Sequence, residues 1–412
     1  MTRRLRICIL TSGRVFELAY GGEEKFTTSL ANWLVSRSHD VILMGSGFVG
    51  VKSKRLSDSH PIEEHDKDVI PEHGKIRVLY PPYSIYLLSR LVQSLLWILK
   101  ISSINLKSPI TIIHAQDTGY AGLAAVLSGR FLRIPVVISS HGIRHKTLES
   151  TVRGRLKKVL IKIEYKIDIF TIKNADNIIV VNPSIKNYFE RLTSKKIDYI
   201  PIGIKVRKFQ FSETDRDLVR DELGIDKETK VIGFVGRFSH EKNLFTLLVA
   251  FANVVRDNSP MKLVLVGAAG PLESQIRENI RKSGIEDKVI LCGIRYDINK
   301  MLSSFDIFVL PSYTEGLSVA LLEAMACGRA IICSDIPANQ QLVIHNKEAL
   351  LVDPYDTNAF ERAIRLLCND DSLRIKLAKN ARIKASQYEE EVVFPKILEY
   401  YETVSNKMAI QE

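Results

Sequence analysis

The stretch "DIFVLPSYTEGLSVALLEAMACG" (Asp306–Gly328) reads as a strand, a turn and a helix in succession. "IFVL" is a continuous apolar run, as a strand covered by helices on both faces requires. "YTEG" supplies the turn, and a helical pattern starts near Leu317 and runs to the glycine that ends it. Two carboxylates interrupt this pattern. A buried, unpaired carboxylate costs several kcal/mol even after relaxation, so Glu323, set among Ala320, Leu321, Leu322, Ala324 and Met325, needs a partner. A cation would serve, and so would the two adjacent hydroxyls of a ribose. Glu315 lies in the loop at the carboxyl end of the strand, beside the N–H groups of Gly316, Leu317 and Ser318 that a helix start leaves free. Ligands of open α/β sheets bind at that end.

The same unit recurs outward in both directions. "RICILTS", "DVILMGS", "KIRVLYP", "TIIHAQ", "PVVISSHG" and "NIIVVNP" precede "DYIPIGIKVRKF", after which "VIGFVGR", "KLVLVG", "KVILCG", "DIFVLPS", "AIICSD" and "ALLVDP" follow. Short β-branched runs alternating with helical segments predict parallel sheets wound on both faces, and 412 residues exceed what one hydrophobic core supports. The expectation is an α/β protein of two Rossmann-like doubly wound domains, residues 1–203 and 204–387, joined near Pro201–Phe209.

The net charge of +11 is unevenly held: residues 1–200 carry 30 Lys and Arg against 17 Asp and Glu, residues 201–412 carry 28 against 30. The first half therefore faces something acidic, or presents a solvated basic face without a partner. Cys8, Cys292, Cys327, Cys333 and Cys368 form no metal-like spacing and read as buried thiols, which favours the cytoplasm. The apolar run "ICIL" is too short for a signal-peptide core, and Ile85–Ile101 is interrupted by Arg90 and Gln93, so neither export nor a membrane span is expected. The polar stretch Gly50–Lys75 reads as a loop, and its His60, His65 and His73 fit no compact ligand set.

Other candidate residues also follow strands directly. Gly21 and Gly22 open a helix after the first strand; such a pair lets backbone approach an anion at a helix N-terminus, and equally fits a plain turn. In "FVGRFSHEKN", Arg237 follows a strand and Lys242 falls in the first turn expected of the next helix. Cations are unfavourable there unless an anion meets them, and a diphosphate would suit both.

Taken together, "EGLSVALLE", "VGRFSHEKN", "GGEEKF…LANWL" and "SDIPANQQLV…ALLVDPYD" resemble the landmarks of the family-four retaining glycosyltransferases, over nearly the whole chain. The resemblance implies the GT-B fold, with two Rossmann-like domains facing across a cleft, and a nucleotide-diphosphate sugar as donor. It also implies that the segment after the second domain, about residues 388–412, crosses back as a helix and completes the first domain. It implies that Arg237 and Lys242 hold the diphosphate, Glu315 contacts hydroxyls of the transferred sugar and Glu323 grips the donor ribose. Gly21 and Gly22 would reach the phosphates, His141 of "ISSHG" would lie beside the donor sugar, and backbone groups of Gly316 and Leu317 would complete these contacts. Glu315, His141, Arg237 and Lys242 are thus the expected catalytic set.

Departures from the family pattern are "PIGIK" at Pro201–Lys205, a lengthened "GAAGPL" at Gly267–Leu272, Gln341 in place of a frequent glutamate, and "HAQ" (His114–Gln116) without the second histidine often found there. They bear on base recognition and on the linker. With two cations facing the diphosphate, no metal or other cofactor is required, and a UDP- or GDP-sugar fits equally. The acceptor is expected to be a glycan or a lipid-linked molecule bound by the first domain. Lysines and arginines interleaved with apolar residues in 151–173, together with 85–101, read as a surface for an anionic membrane face or as ordinary packing helices. The expected setting is the cytoplasm, at the inner face of the plasma membrane, in cell-surface polysaccharide or glycolipid synthesis.

A dinucleotide oxidoreductase would need a G-x-G-x-x-G turn leading from a strand into a helix; "GSGFVG" (Gly45–Gly50) has the spacing but opens the polar stretch Gly50–Lys75 that reads as a loop. Nucleic acid is not expected as a partner, since no aromatic-rich basic platform or reader motif is present. A catalytically silent sugar-nucleotide-binding protein, or a transferase with a small soluble acceptor, stays open as the alternative.

Overall fold

In the computed structural model the described residues include thirteen parallel strands, most of them formed by these apolar runs. The structure describes residues 4–12, 22–45, 77–79, 88–143, 157–256, 260–267, 272–316 and 318–411. Gly21, Leu317 and the stretch Gly50–Lys75 with its three histidines lie outside them.

The chain divides into two compact units, one of Met1–Ile202 with Val393–Glu412, the other of Gly203–Val392. In the first, β1 (Arg6–Leu10), β2 (Asp40–Met44), β3 (Arg77–Leu79), β4 (Ile112–Ala115), β5 (Val136–Ser140), β6 (Asn177–Val180) and β7 (Ile197–Tyr199) align in the order β3-β2-β1-β4-β5-β6-β7. In the second, β8 (Lys230–Val235), β9 (Met261–Val266), β10 (Val289–Gly293), β11 (Ile307–Leu310), β12 (Ala330–Ser334) and β13 (Leu350–Val352) align as β10-β9-β8-β11-β12-β13. Both orders reverse direction beside their first strand, β1 against β4 and β8 against β11, which opens a crevice at the carboxyl ends of those strands.

The strands read as unbroken apolar runs because helices cover both faces. All four residues of β4 and of β11 are buried, and Ile7, Cys8, Ile9 and Leu10 of β1 have no exposed surface. Strand β7 is an addition to the six runs read from the first half. Three residues long, at the sheet edge and progressively exposed, it carries too little apolar pattern to be read from sequence.

The C-terminal helix Glu390–Gln411 supplies core to the first unit: Phe394 packs edge-on against Phe26 and Trp33, and Tyr401 against His114. Just before it, Ile204 and the 388–390 segment exchange backbone hydrogen bonds, Ile204 N donating to Tyr388 O and Glu390 N to Ile204 O.

A buried charge cluster holds the amino end of β11. Asp306 accepts from Arg216 and Arg220, each at 2.8 Å, and from the Val231 backbone N–H of β8 at 2.7 Å. Arg220, 2% exposed, spends its remaining donors on the carbonyls of Ser304, Lys227 and Thr229. The switch-point pair β8–β11 is thereby pinned at the end opposite the ligand crevice. Among the described residues no helix is long and apolar enough to cross a membrane, and no cluster of three His, Cys, Asp or Glu is arranged to hold a metal ion.

Candidate active site

In the second unit the crevice beyond β8 and β11 gathers residues that are far apart in the chain. Lys242 Nζ lies 2.7 Å from Glu315 Oε1, and the same oxygen accepts from Ser312 Oγ at 2.6 Å. The lysine and glutamate side chains are only 15% and 9% exposed, so the pair sits in a partly desolvated setting where its field is stronger than in water. Arg237 is exposed in the same loop, 3.6 Å from Glu241, whose carboxylate also accepts from the Ser239 hydroxyl.

Two positions differ from the sequence expectation. Lys242 is not in the first turn of the helix: it ends a short 3-10 turn, His240–Lys242, and the helix Leu244–Val255 starts only after Asn243. Asn243 adopts a left-handed backbone with φ 52°, which asparagine tolerates better than most residues. Its buried amide donates to the carbonyls of Pro311 and Pro354, tying the loops after β8, β11 and β13 together. Likewise the helix carrying Glu323 begins at Val319, two residues later than expected, because Ser318 is its cap and accepts from Leu321 N. Glu323 is buried within that helix.

Backbone contact sets the floor of this crevice. A Cβ on Gly267, at the end of β9, would stand 1.8 Å from Gly236 O, so the loops after β8 and β9 approach as closely as glycine allows. Sequence reasoning did not single out Ser312, Asn243 or the aromatic row beside them, where Tyr313 stacks on exposed Tyr355 at 5.0 Å and lies 6.0 Å from His240. Only Asn243 left a signal, as the polar residue closing "SHEKN".

The first unit has its own polar gathering beyond β1, β4 and β5. Gly22 is the first residue of the helix Gly22–Ser36, and Glu23 beside it accepts from Thr11 Oγ1 at 2.9 Å. Burial, then the charges of Asp117 and Glu24, push the Glu23 carboxyl well above the usual range. Asp117 accepts from the backbone N–H of Ser12 and of Gly119. His141 directs Nε2 to Gln116 Oε1 at 2.9 Å, its ring edge-on to Phe26. Burial lowers the pKa of His141 to about 4 and that of His114 to about 3, so both imidazoles are neutral at pH 7. Glu23 and Asp117 were not foreseen, since no local spacing marks them, and Gln116 was noted only as part of the "HAQ" departure from the family pattern.

Chemically, the second-unit crevice offers in Lys242 a cation for an anion and in Glu315 a carboxylate for hydroxyls within one hydrogen-bonded group, with Arg237 exposed in the same loop. Two doubly wound parallel units in one chain are the GT-B fold. The family model described as "Glycosyltransferase Family 4" matches residues 20–208, and that described as "Glycosyl transferases group 1" matches 215–384. The chain is 30% identical over 285 residues to the UDP-Gal:alpha-D-GlcNAc-diphosphoundecaprenol alpha-1,3-galactosyltransferase of Escherichia coli, covering 68% of this chain and 70% of that one. It is 25% identical to the N-acetyl-alpha-D-glucosaminyl L-malate synthase of Bacillus anthracis over 93% of each chain. Among solved structures, sucrose-phosphate synthase of Thermosynechococcus elongatus shares the fold with a TM-score of 0.77 at 19% identity, over 97% of this chain and 99% of that one. The chain belongs to the family-four glycosyltransferases.

Proposed function

We propose that the protein is a retaining transferase that moves a hexose or N-acetylhexosamine from a nucleotide-diphosphate sugar to a hydroxyl of a lipid-linked or glycan acceptor. The observation that carries the donor reading is the Lys242–Glu315 pair, 2.7 Å apart at the switch point of the second unit. A diphosphate attracts the lysine and the sugar hydroxyls attract the glutamate, so one ligand replaces the contact that the two side chains make with each other. In this proposal Arg237 adds the second cation, Gly316 offers backbone groups, and Glu323 takes the ribose hydroxyls. The family resemblance assigns Gly22 of the first unit to the phosphates and His141 to the transferred sugar, and we carry both assignments over.

Cleavage of the bond between anomeric carbon and phosphate oxygen leaves positive charge on the sugar ring and negative charge on the departing diphosphate. Lys242 and Arg237 stabilise charge that grows toward the transition state, where fixed electrostatics act most strongly. The acceptor attacks on the face the diphosphate leaves, and the configuration is retained. Because these cations already neutralise the leaving group, we read the reaction as metal-independent.

The test is a panel of UDP-glucose, UDP-galactose, UDP-N-acetylglucosamine and GDP-mannose in EDTA. At least one should raise the melting temperature and be slowly hydrolysed. If none stabilises the protein or turns over, the reading is wrong. A uridine donor is the first expectation, since the E. coli relative's name gives UDP-Gal.

A lipid-linked acceptor is supported by the outer face of three helices in the first unit. Leu88–Lys107 and Lys157–Asn174 both pack on Tyr120–Leu132. They leave Leu95, Leu99 (67%), Leu106 (86%), Phe131 (79%), Val159 and Phe170 in solvent, beside exposed Lys158, Lys162 and Lys166. Exposed apolar side chains on helices that also carry exposed lysines suit an anionic bilayer interface, and the E. coli relative acts on an undecaprenol-linked acceptor by name. The name of the B. anthracis relative gives a malate product instead, and vesicle binding separates the two cases. The protein should float with phosphatidylglycerol vesicles and detach at high salt or after Lys158, Lys162 and Lys166 are neutralised. Equal indifference to anionic and neutral vesicles would overturn the membrane reading. On this reading the protein works in the cytoplasm at the inner membrane face, in surface polysaccharide or glycolipid synthesis.

A further inference from the structure

Gln116 stands where the family often carries a second histidine, and the side chains around it leave its amide one favourable orientation. Its neighbour His114 already has both ring nitrogens occupied: Nδ1 lies 2.5 Å from Tyr401 Oη and Nε2 lies 2.7 Å from Ser139 Oγ. The Gln116 amide nitrogen is 3.1 Å from Nδ1 and 3.3 Å from Nε2 of that ring. A nitrogen almost equidistant from both sits over the ring face, because an in-plane approach would collide with Cε1. An N–H over the electron-rich face is attractive, whereas a carbonyl oxygen there would be repelled. The Gln116 oxygen is therefore the atom turned to His141, 2.9 Å from Nε2.

An oxygen with no hydrogen can only accept, so Nε2 of His141 must carry the proton. In the other neutral tautomer two lone pairs would oppose each other across that distance. Nδ1 of His141 is then an acceptor, and it is buried with no hydrogen-bond partner among the described residues. The Phe26 edge, itself braced by Phe394, keeps the ring from turning away.

We propose that Gln116 is the positioning residue of His141: it fixes the Nε2–H tautomer and thereby presents Nδ1 as an acceptor for a hydroxyl of the transferred sugar, while His114, Ser139 and Tyr401 hold the Gln116 amide in its orientation. This inference rests on the role proposed above for His141. Gln116 acts through His141 and has no substrate contact of its own. A glutamine in this place has a further consequence: unlike a histidine, it cannot titrate, so the acceptor facing Nε2 stays the same across the pH range of the enzyme.

The experiment has a ligand-free arm and a kinetic arm. Two-bond ¹H–¹⁵N correlation spectra of protein labelled with ¹⁵N-histidine report the tautomer of His141 directly. The wild type should show Nε2–H, and Gln116→Met, similar in length but with only a weakly accepting thioether in place of the carbonyl oxygen, should show a mixture of tautomers. In the kinetic arm, turnover of whichever of UDP-glucose, UDP-galactose, UDP-N-acetylglucosamine and GDP-mannose the wild type hydrolyses fastest is compared. Gln116→Met should lower kcat by about 10- to 100-fold with little change in KM, the range seen when the hydrogen-bond partner that orients a metal-ligating imidazole is removed. Should the methionine variant fail to fold, Gln116→Asn withdraws the acceptor by one methylene and carries the same expectations. If the variant keeps a pure Nε2–H signal, or turns over donor at the wild-type rate while His141→Ala does not, the positioning role is refuted and His141 keeps its assignment. If His141→Ala is itself fully active, the reading of His141 falls, and that of Gln116 with it.

Discussion

Lys242→Ala is expected to lower kcat for donor turnover by about 100- to 1,000-fold, the loss that follows removal of one preorganised group facing transition-state charge. Its ammonium and the Ser312 hydroxyl are the hydrogen-bond partners of the Glu315 carboxylate among the described residues, so the variant also leaves a largely buried carboxylate with less compensation. Glu315→Ala should reduce transfer to a similar degree for a different reason, the loss of the sugar-hydroxyl contact. Binding of the free nucleoside diphosphate should largely survive in Glu315→Ala, because the lysine is then released to meet phosphate. Since the two side chains touch, their losses should not multiply: the double variant should fall well short of the product of the singles. Steady-state kinetics of the three variants, with calorimetric titration of UDP and GDP, tests all of this. Wild-type turnover in Lys242→Ala, or strictly multiplicative losses, would remove the pair from the mechanism.

The second large effect is on stability. Asp306→Ala should destabilise the protein by about 3–5 kcal/mol, the range for removing one partner of a buried ion pair. The variant strands Arg220, which is 2% exposed, and deprives the Val231 N–H of its acceptor. The effect carries a pH signature. Burial alone would raise the pKa of Asp306, but the Arg216 charge, the Val231 N–H and the Arg216 and Arg220 guanidinium groups together hold it below the usual carboxylate value. A depressed folded-state pKa contributes stability that is fully present above the unfolded value, about 3.9, and is lost as pH falls through the folded one. The gap in melting temperature between wild type and Asp306→Ala should therefore be widest near neutrality and narrow below about pH 4. Donor KM should change little in the folded variant, because Asp306 lies at the amino end of β11 and Glu315 beyond its carboxyl end. A constant gap across that window would show that the carboxylate's charge contributes nothing.

How much of the site could be read in advance depends on the distance over which each contact acts. The turn after β11 was legible because its chemistry is local: a strand, a loop and a capped helix within one stretch carry Glu315, Gly316 and Glu323 at fixed spacing. Asn243 was quoted but not weighed, since its role depends on the carbonyls of Pro311 and Pro354, 68 and 111 residues away. Glu23 and Asp117 were silent for the same reason, being brought together only when β4 pairs with β1.

By itself the sequence determined the architecture and the family. Apolar runs long enough to be buried on both faces, punctuated by helical segments, admit few arrangements other than parallel doubly wound sheets. Tertiary structure alone decided which polar side chains share an environment: Lys242 with Glu315 across 73 positions, and His114 with Tyr401 across 287. Hydrophobic periodicity is a property of neighbouring residues, whereas these hydrogen bonds depend on which strands lie side by side at the switch point and on which helix closes over them. Strand order is settled by the packing of whole elements, and no local pattern encodes it.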